Sequence, residues 1–145
     1  MKQENIDFVV SGLIIQNNSV LMLWHKKLNA WLFPGGHIEK NETLEEALIR
    51  ECKEEVNLDI EFIENKVNDL STSDVREENL PFCILKEPID EPNNFHYHID
   101  FIFKIKPINS MPASIAKDTK WINKNDILEI QTFKNVKKLL NKILD

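Results

Sequence analysis

The sequence predicts an α/β fold in which a mixed β-sheet lies between helices, an α/β/α arrangement. Three features carry this expectation. Short apolar runs of strand type stand on both sides of one strongly patterned helix. That helix has both a start signal and a stop signal. A second amphipathic helix closes the chain, so the sheet has a helix available for each face.

The elements follow in order. Phe8 to Ile15 is an apolar run that reads as a buried strand. Asn17-Asn18 reads as a tight turn, and Ser19 to Trp24 returns as its hairpin partner. Leu28 to Gly36 reads as a short strand entering a sharp loop at Pro34-Gly35-Gly36. Thr43 to Val56 is the clearest helix. Thr43 and Glu46 fit a capping box, and Leu44, Leu48, Cys52 and Val56 repeat every fourth residue as an apolar stripe. Asn57 follows, a residue that tolerates the left-handed conformation just past a helix end.

Leu58 to Val67 resumes strand character, and Leu70 to Glu78 reads as a polar loop. Phe82 to Leu85 predicts a short strand. Phe95 to Ile105 predicts a long one, with Phe95, Tyr97, Ile99, Phe101, Phe103 and Ile105 on an apolar face. Its other face carries His96, His98, Asp100, Ile102 and Lys104. Pro107 to Asp118 reads as a loop and Lys120 to Ile122 as a brief strand. Asn125 to Ile130 reads as a short helix and Phe133 to Leu144 as the closing helix.

The length of 145 residues suits one domain, 1–145, with a core that needs no staples. No apolar run approaches the ~18–20 residues that span a bilayer, so no membrane partner is expected. The first residues lack the pattern of a secretory leader, which leads us to expect a cytoplasmic protein. The formal net charge of −6 argues against a duplex nucleic acid partner, which demands clustered Lys and Arg. It leaves room for a small phosphate-bearing ligand, because bound divalent cations invert the local charge. Cys52 and Cys83 have no metal-site spacing. Cys52 falls on the apolar stripe and reads as a small buried hydrophobe.

The chemistry concentrates on the first helix. Glu51, Glu54 and Glu55 stand at i, i+3 and i+4 and share one side of it. Like charges so placed repel, and cations or hydrogen-bond donors would offset that cost. Three carboxylates on a rigid element suit Mg²⁺ or Mn²⁺, hard ions that take oxygen ligands. Such an ion would neutralise a diphosphate and acidify an attacking water. Arg50 projects away from Glu51 yet is able to brace a carboxylate from the side. Gly35-Gly36 leads toward the helix, where glycines permit close backbone approach and would let the Gly36 carbonyl face the ion. The bland alternative is a solvated acidic helix face that binds nothing.

These residues carry a resemblance. Gly36 to Leu58 is similar to the Nudix box of the MutT-like Nudix hydrolases. That motif is a Gly, five residues, a Glu, seven residues, then Arg-Glu-apolar-any-Glu-Glu-any-Gly-apolar. Gly36, Glu42, Arg50, Glu51, Glu54 and Glu55 match at the right spacing, with Cys52 and Leu58 in the apolar positions. The one departure is Asn57 in place of Gly, the mildest replacement at a left-handed position. The resemblance implies a Nudix-like α/β/α sandwich and a pyrophosphohydrolase. It implies Glu51, Glu54, Glu55 and the Gly36 carbonyl as metal ligands, with Mg²⁺ or Mn²⁺ as cofactor. Arg50 would orient the glutamates, and Glu42 would be a structural or outer contact. The implied substrate is a small nucleotide-like molecule, a nucleoside diphosphate linked to another moiety. The general base varies in the family: Glu54 serves as ligand or base, and an acidic residue of a distant loop is the other option. Family members often dimerise, which leaves a homodimer open. The competing reading is a non-catalytic nucleotide sensor on the same fold.

Outside the box the candidates are substrate-binding residues. His25 and Lys26 follow the second strand within reach of a phosphate or base edge. His96 and His98 lie with Asp100 on the polar side of the long strand, as a substrate wall or a plain hydrogen-bonded sheet surface. A metal site from these three alone is disfavoured, because they run too far along one strand. Trp24, Trp31 and Trp121 read mainly as packing residues. Asp118 precedes Trp121, where the resemblance implies an acidic residue near the substrate, and Glu77, Glu78 and Glu91 are further candidate bases.

Overall fold

A computed structural model describes residues 4–108 and 118–145. The described elements are β1 (Ile6–Gln16), β2 (Ser19–His25), β3 (Ala30–Leu32), β4 (Gly35–His37), α1 (Leu44–Val56) and β5 (Ile60–Phe62). They continue with β6 (Cys83–Glu91), β7 (Asn94–Pro107), β8 (Thr119–Ile122), a 3₁₀ turn at Lys124–Asp126, and α2 (Lys134–Ile143). Most of the loop expected between Pro107 and Asp118 lies outside the described residues.

The sheet is mixed, with strand order β3-β2-β1-β7-β5. β4 also pairs with β1, β6 with β7, and β8 with β2. β1 and β7 run parallel with Asp7 opposite His98 and Val9 opposite Asp100, while the other pairings are antiparallel. The hairpin from β1 to β2 turns on Asn17 and Asn18, with φ of 50° and 55°. Two consecutive left-handed residues give the turn whose twist matches the flanking strands.

Alternation of side chains divides β1 and β2 between two cores. Val10, Ile14 and Leu21 join Ala47, Leu48, Cys52 and Val56 beneath α1. Val20 and Met22 face the other way and pack with Val136 and Leu140 of α2. Leu13 and Ile102 complete the α2 side against Leu139. The two helices therefore cover opposite faces, as the patterns predict.

Four local expectations change. Gly35-Gly36 is strand, not loop, and neither glycine has positive φ. β6 runs on to Glu91 through Pro88, which it accommodates because, among the described residues, β6 pairs with β7 alone. The two faces of β7 are not divided into apolar core and polar surface. His96 and Asp100 are buried, at 7% and 6% exposure, whereas Phe95 is 53% exposed. Phe103 and Ile105 do meet α1 in the core. The polar half of β7 instead faces a cavity on the α2 side. The expected helix at Asn125–Ile130 is shorter, the 3₁₀ turn followed by a backbone bond from Ile130 N–H to the Asp126 carbonyl.

Candidate active site

α1 begins where its sequence says it should. Thr43 Oγ1 accepts from Glu46 N–H at 3.1 Å, and Glu46 Oε1 accepts from Thr43 N–H at 3.0 Å. The helix ends at Asn57 with φ 54° and ψ 40°, and the Asn57 N–H returns to the Cys52 carbonyl. These ends fix the rotation of the helix. Leu48, Cys52 and Val56 go into the core, and Glu51, Glu54 and Glu55 are carried toward β4 and solvent.

Arg50 organises the acidic side. Its Nε donates to Glu42 Oε2 at 2.7 Å and its Nη2 to Glu42 Oε1 at 2.9 Å, a two-pronged bond. Nη1 donates to Glu51 Oε1 at 2.8 Å, and Nη2 also reaches the His37 carbonyl at 3.0 Å. The bond to Arg50 holds the Glu42 carboxyl below its usual range, and the Arg50 guanidinium is held even more firmly in its charged form. Arg50 thus ties the loop before α1, the helix and the end of β4 into one unit.

The glycines act through proximity. A Cβ on Gly35 would lie 2.0 Å from the Val10 carbonyl oxygen. A Cβ on Gly36 would lie 2.5 Å from the Glu51 carboxylate. The Gly36 backbone is therefore pressed against that carboxylate, an approach no other residue allows. Glu55 Oε1 accepts from Gly35 N–H at 2.8 Å. Burial pushes the Glu55 carboxyl up to about 7, with Glu51 and Glu54 adding to the rise and the Gly35 N–H opposing it. Three carboxylates crowded onto one helix end are a fitting set for a divalent cation, which would hold all three ionised. Their oxygens do not converge in one shell here. Glu51 is held by Arg50, Glu55 by Gly35, and the Glu54 side chain is 60% exposed.

A cavity of about 700 Å³ opens beside Gly35, Gly36 and Glu55 and runs between the sheet and α2. Apolar walls from Phe33, Leu85, Ile89 and Val136 alternate with the polar His25, Lys27, Glu87 and Asp100. Its size suits a nucleoside-sized ligand. His25 and His98 line it. Lys26 and Asp118 do not: Lys27 takes the wall position expected of Lys26, and the exposed Asp118 contributes its carbonyl to Trp24 N–H at 2.9 Å. His96 is buried beside His98 and is not part of the wall. Trp24 and Trp31 pack edge to face with each other, and Trp121 packs on the α1 core, as packing residues should. Glu77 serves loop amides at Asn68 and Leu70, and Glu78 pairs with Arg76.

Two groupings were not foreseen. Glu87 and Asp100 are diagonal neighbours across β6 and β7, with Glu87 opposite His98 and Asp100 opposite Leu85, and burial pushes both carboxyls up. Asp100 Oδ2 accepts from Ser11 Oγ at 3.0 Å. Two buried carboxyls in contact are stable when they share a proton. The signal was present in β6: Cys83, Leu85, Glu87 and Ile89 point inward, and Glu87 is the one charge among them. The second grouping is Asp7, His96 and His98, whose ligand-type atoms lie within 4.8 Å of one another. It is the one such three-residue group among the described residues. His98 is pushed down to about 4 by burial and by the neighbouring His37 and His96. Asp7 comes from a different strand, so spacing along β7 alone does not reveal it.

Comparison with known proteins agrees with this architecture. The NUDIX domain family model matches residues 7–140. The structure of a NUDIX-family hydrolase from Clostridium perfringens superposes with a TM-score of 0.77 at 32% identity, covering 96% of each chain. A MutT protein from Bacillus halodurans shares the fold at a TM-score of 0.61 and 19% identity, covering 93% of this chain and 80% of that one. Among curated proteins, an RNA pyrophosphohydrolase of Marinomonas sp. (strain MWYL1) is 49% identical over 55 residues, which is 37% of this chain and 34% of that protein. Another RNA pyrophosphohydrolase, from Hydrogenovibrio crunogenus, is 36% identical over 87 residues, 54% of this chain and 53% of that one. The chain thus spans between a third and about half of the length of these curated relatives. With the family model matched along nearly its whole length and the box residues gathered around Arg50, the chain belongs to the NUDIX family.

Proposed function

We propose that the protein hydrolyses a phosphoanhydride bond in a nucleoside diphosphate linked to another moiety, with Mg²⁺ or Mn²⁺ as cofactor. The observation that carries this reading is the contact of the Gly36 backbone with the Glu51 carboxylate, at the mouth of a nucleoside-sized cavity. Glu51, Glu54, Glu55 and the Gly36 carbonyl are the ligands in this reading. An ion held there would offset the charge of the diphosphate and make a bound water more acidic.

The chain's own residues do the remaining work. Arg50 holds Glu51 in place and supports the end of β4 through the His37 carbonyl. Where it does not ligate the ion, Glu54, the most exposed of the three glutamates, would accept the proton of an attacking water. The water oxygen bonds to phosphorus. The bridging P–O bond breaks, and its electron pair leaves with the departing phosphate. The cavity receives the nucleoside end, with Lys27 and His25 on one wall and Glu87 and Asp100 on another.

The test is a release assay for phosphate and pyrophosphate over nucleoside triphosphates, nucleotide sugars, ADP-ribose, dinucleoside polyphosphates and 5′-triphosphorylated RNA. RNA belongs in the panel because curated relatives are RNA pyrophosphohydrolases. Turnover that requires metal and falls at least ~100-fold in Glu54→Gln supports the reading. A folded protein that binds Mn²⁺ and turns over none of these substrates would sink it.

A further inference from the structure

The box glutamates are oxygen donors on α1. The grouping of Asp7, His96 and His98 has different chemistry and a different address. It lies on the α2 side of the sheet, built by the parallel pairing of β1 with β7 that sets Asp7 opposite His98. His96 Nε2 is 3.1 Å from His98 Nε2 and 3.7 Å from Asp7 Oδ2. Bonds of ~2.0–2.2 Å at tetrahedral angles would set neighbouring donors roughly 3.3 Å apart. The two spacings from His96 bracket that value, and all three donors lie within 4.8 Å of one another, close enough to close around one small ion.

The hydrogen-bond pattern points the same way. His96 Nδ1 lies 2.8 Å from the Asn94 carbonyl oxygen. A carbonyl only accepts, so Nδ1 carries a proton, and in the tautomer this bond selects for a neutral ring the lone pair of Nε2 is turned toward His98 and Asp7. A backbone carbonyl fixing the outer nitrogen is the usual second contact of a metal-bound histidine. Asp7 has such a contact too: His37 Nε2 is 3.1 Å from Asp7 Oδ2, with its ring edge-on to His98 at 5.3 Å between centroids. The His96 side chain is 8% exposed, so its position is set by packing, while the Asp7 side chain is 49% exposed and gives an ion access from solvent.

We propose that Asp7, His96 and His98 form a second metal site that binds a Zn²⁺-class transition ion, with His37 holding the Asp7 carboxylate from outside. Two imidazoles and one carboxylate favour Zn²⁺ and its neighbours over the Mg²⁺ that suits carboxylates alone. Three protein donors make an exchangeable site rather than a closed structural one. The ion would tie β1 to β7 and, through His37, to β4. β4 is the strand that carries Gly36, so the tie steadies one wall of the candidate active site. The site stands whether or not the protein is a hydrolase.

The experiment uses tag-free, full-length protein stripped with chelator and titrated with Co²⁺ in excess Mg²⁺. Wild type should develop visible ligand-field bands that saturate at one equivalent and vanish on adding Zn²⁺. Glu54→Gln should keep them. Asp7→Asn, at an exposed position with little folding risk, should weaken Co²⁺ binding ~10–100-fold, and His98→Gln should abolish the bands. Zn²⁺ at a hundredfold excess over its Kd should raise the wild-type Tm by roughly 5–10 °C and leave His98→Gln unmoved. Absent bands in wild type, bands that persist in both Asp7→Asn and His98→Gln, or bands lost in Glu54→Gln would each overturn the proposal.

Discussion

The α1 end and the β7 face assemble functional groups by opposite routes. On α1, Glu51, Glu54 and Glu55 are neighbours because helical geometry makes them so, and their nearest cation, Arg50, is part of the same helix. On the β7 face, Asp7, Ser11, Glu87, His98 and Asp100 come from three strands and meet only because β1 and β6 flank β7 in one register. The first cluster is local and exposed in part. The second is non-local, half-buried and held by the sheet. A local cluster should be sensitive to single side chains, with little change in fold. A sheet-borne cluster should couple its titration to the stability of the whole sheet.

The largest effect should come from removing a carboxylate on α1. Glu51→Gln keeps the shape and an oxygen that accepts from Arg50 but removes the negative charge. Hydrolysis should fall ~10²–10⁴-fold, with a Tm close to wild type, as read by metal-dependent turnover and thermal melts. A loss of fold instead of activity would place α1 in the same class as the sheet. Gly36→Ala should be next. Its new Cβ would meet the Glu51 carboxylate at 2.5 Å, and Glu51 must swing away from Arg50 to make room. Activity should fall ~10–100-fold, mainly in kcat, because a displaced positioning contact acts on geometry rather than on binding.

This contrast also explains what was legible in the sequence. The cap at Thr43, the stripe from Leu44 to Val56 and the stop at Asn57 are all short-range, so the helix could be read residue by residue. Its acidic row came with it. The hairpin at Asn17-Asn18 was readable for the same reason. The β7 face was not, because alternation gives which residues share a side and not which side is buried. His96 and Asp100 read as a substrate wall or a hydrogen-bonded sheet surface, yet both are buried. Asp7 and Glu87 could not be joined to them without the parallel register of β1 or the full length of β6. Pro34-Gly35-Gly36 reads as a loop from its sequence, whereas the close approach the glycines serve depends on where β4 meets β1 and α1.

A pH experiment separates the regions further. Burial pushes both the Glu87 and the Asp100 carboxyls up; Asp100 raises Glu87 further, whereas the bonds with Ser11 and Glu87 hold part of the Asp100 rise back. The folded state therefore holds more protons than the unfolded state from the ordinary carboxylate range, ~4–5, upward through neutrality. A raised carboxyl contributes its stability fully below the unfolded value and loses it as pH rises through the folded value. Wild-type stability should carry a falling contribution across that window, at most ~1.4 kcal/mol per pH unit for one proton. Glu87→Gln supplies a permanent N–H donor to Asp100 and removes that proton. Its melting curve should lie above wild type at the alkaline end and converge with it, or cross it, at the acid end. Equal pH slopes for both proteins would show that the pair shares no proton.

The smallest predicted effect tests how independent α1 is. Thr43→Ala deletes the acceptor for the Glu46 N–H and half of a reciprocal pair. In a helix whose start is specified locally, this costs ~1 kcal/mol and lowers Tm by a few degrees. The cap lies seven residues before Arg50, two turns from Glu51 and on the far side of the Arg50–Glu42 bond. That bond anchors the loop before the helix independently of Thr43, so fraying of the first turn stops short of the glutamates. Turnover at saturating metal should then stay within about twofold of wild type at 25 °C while the melt shifts. If activity falls in step with stability, the acidic row depends on the cap, and the arginine network does not hold the site by itself.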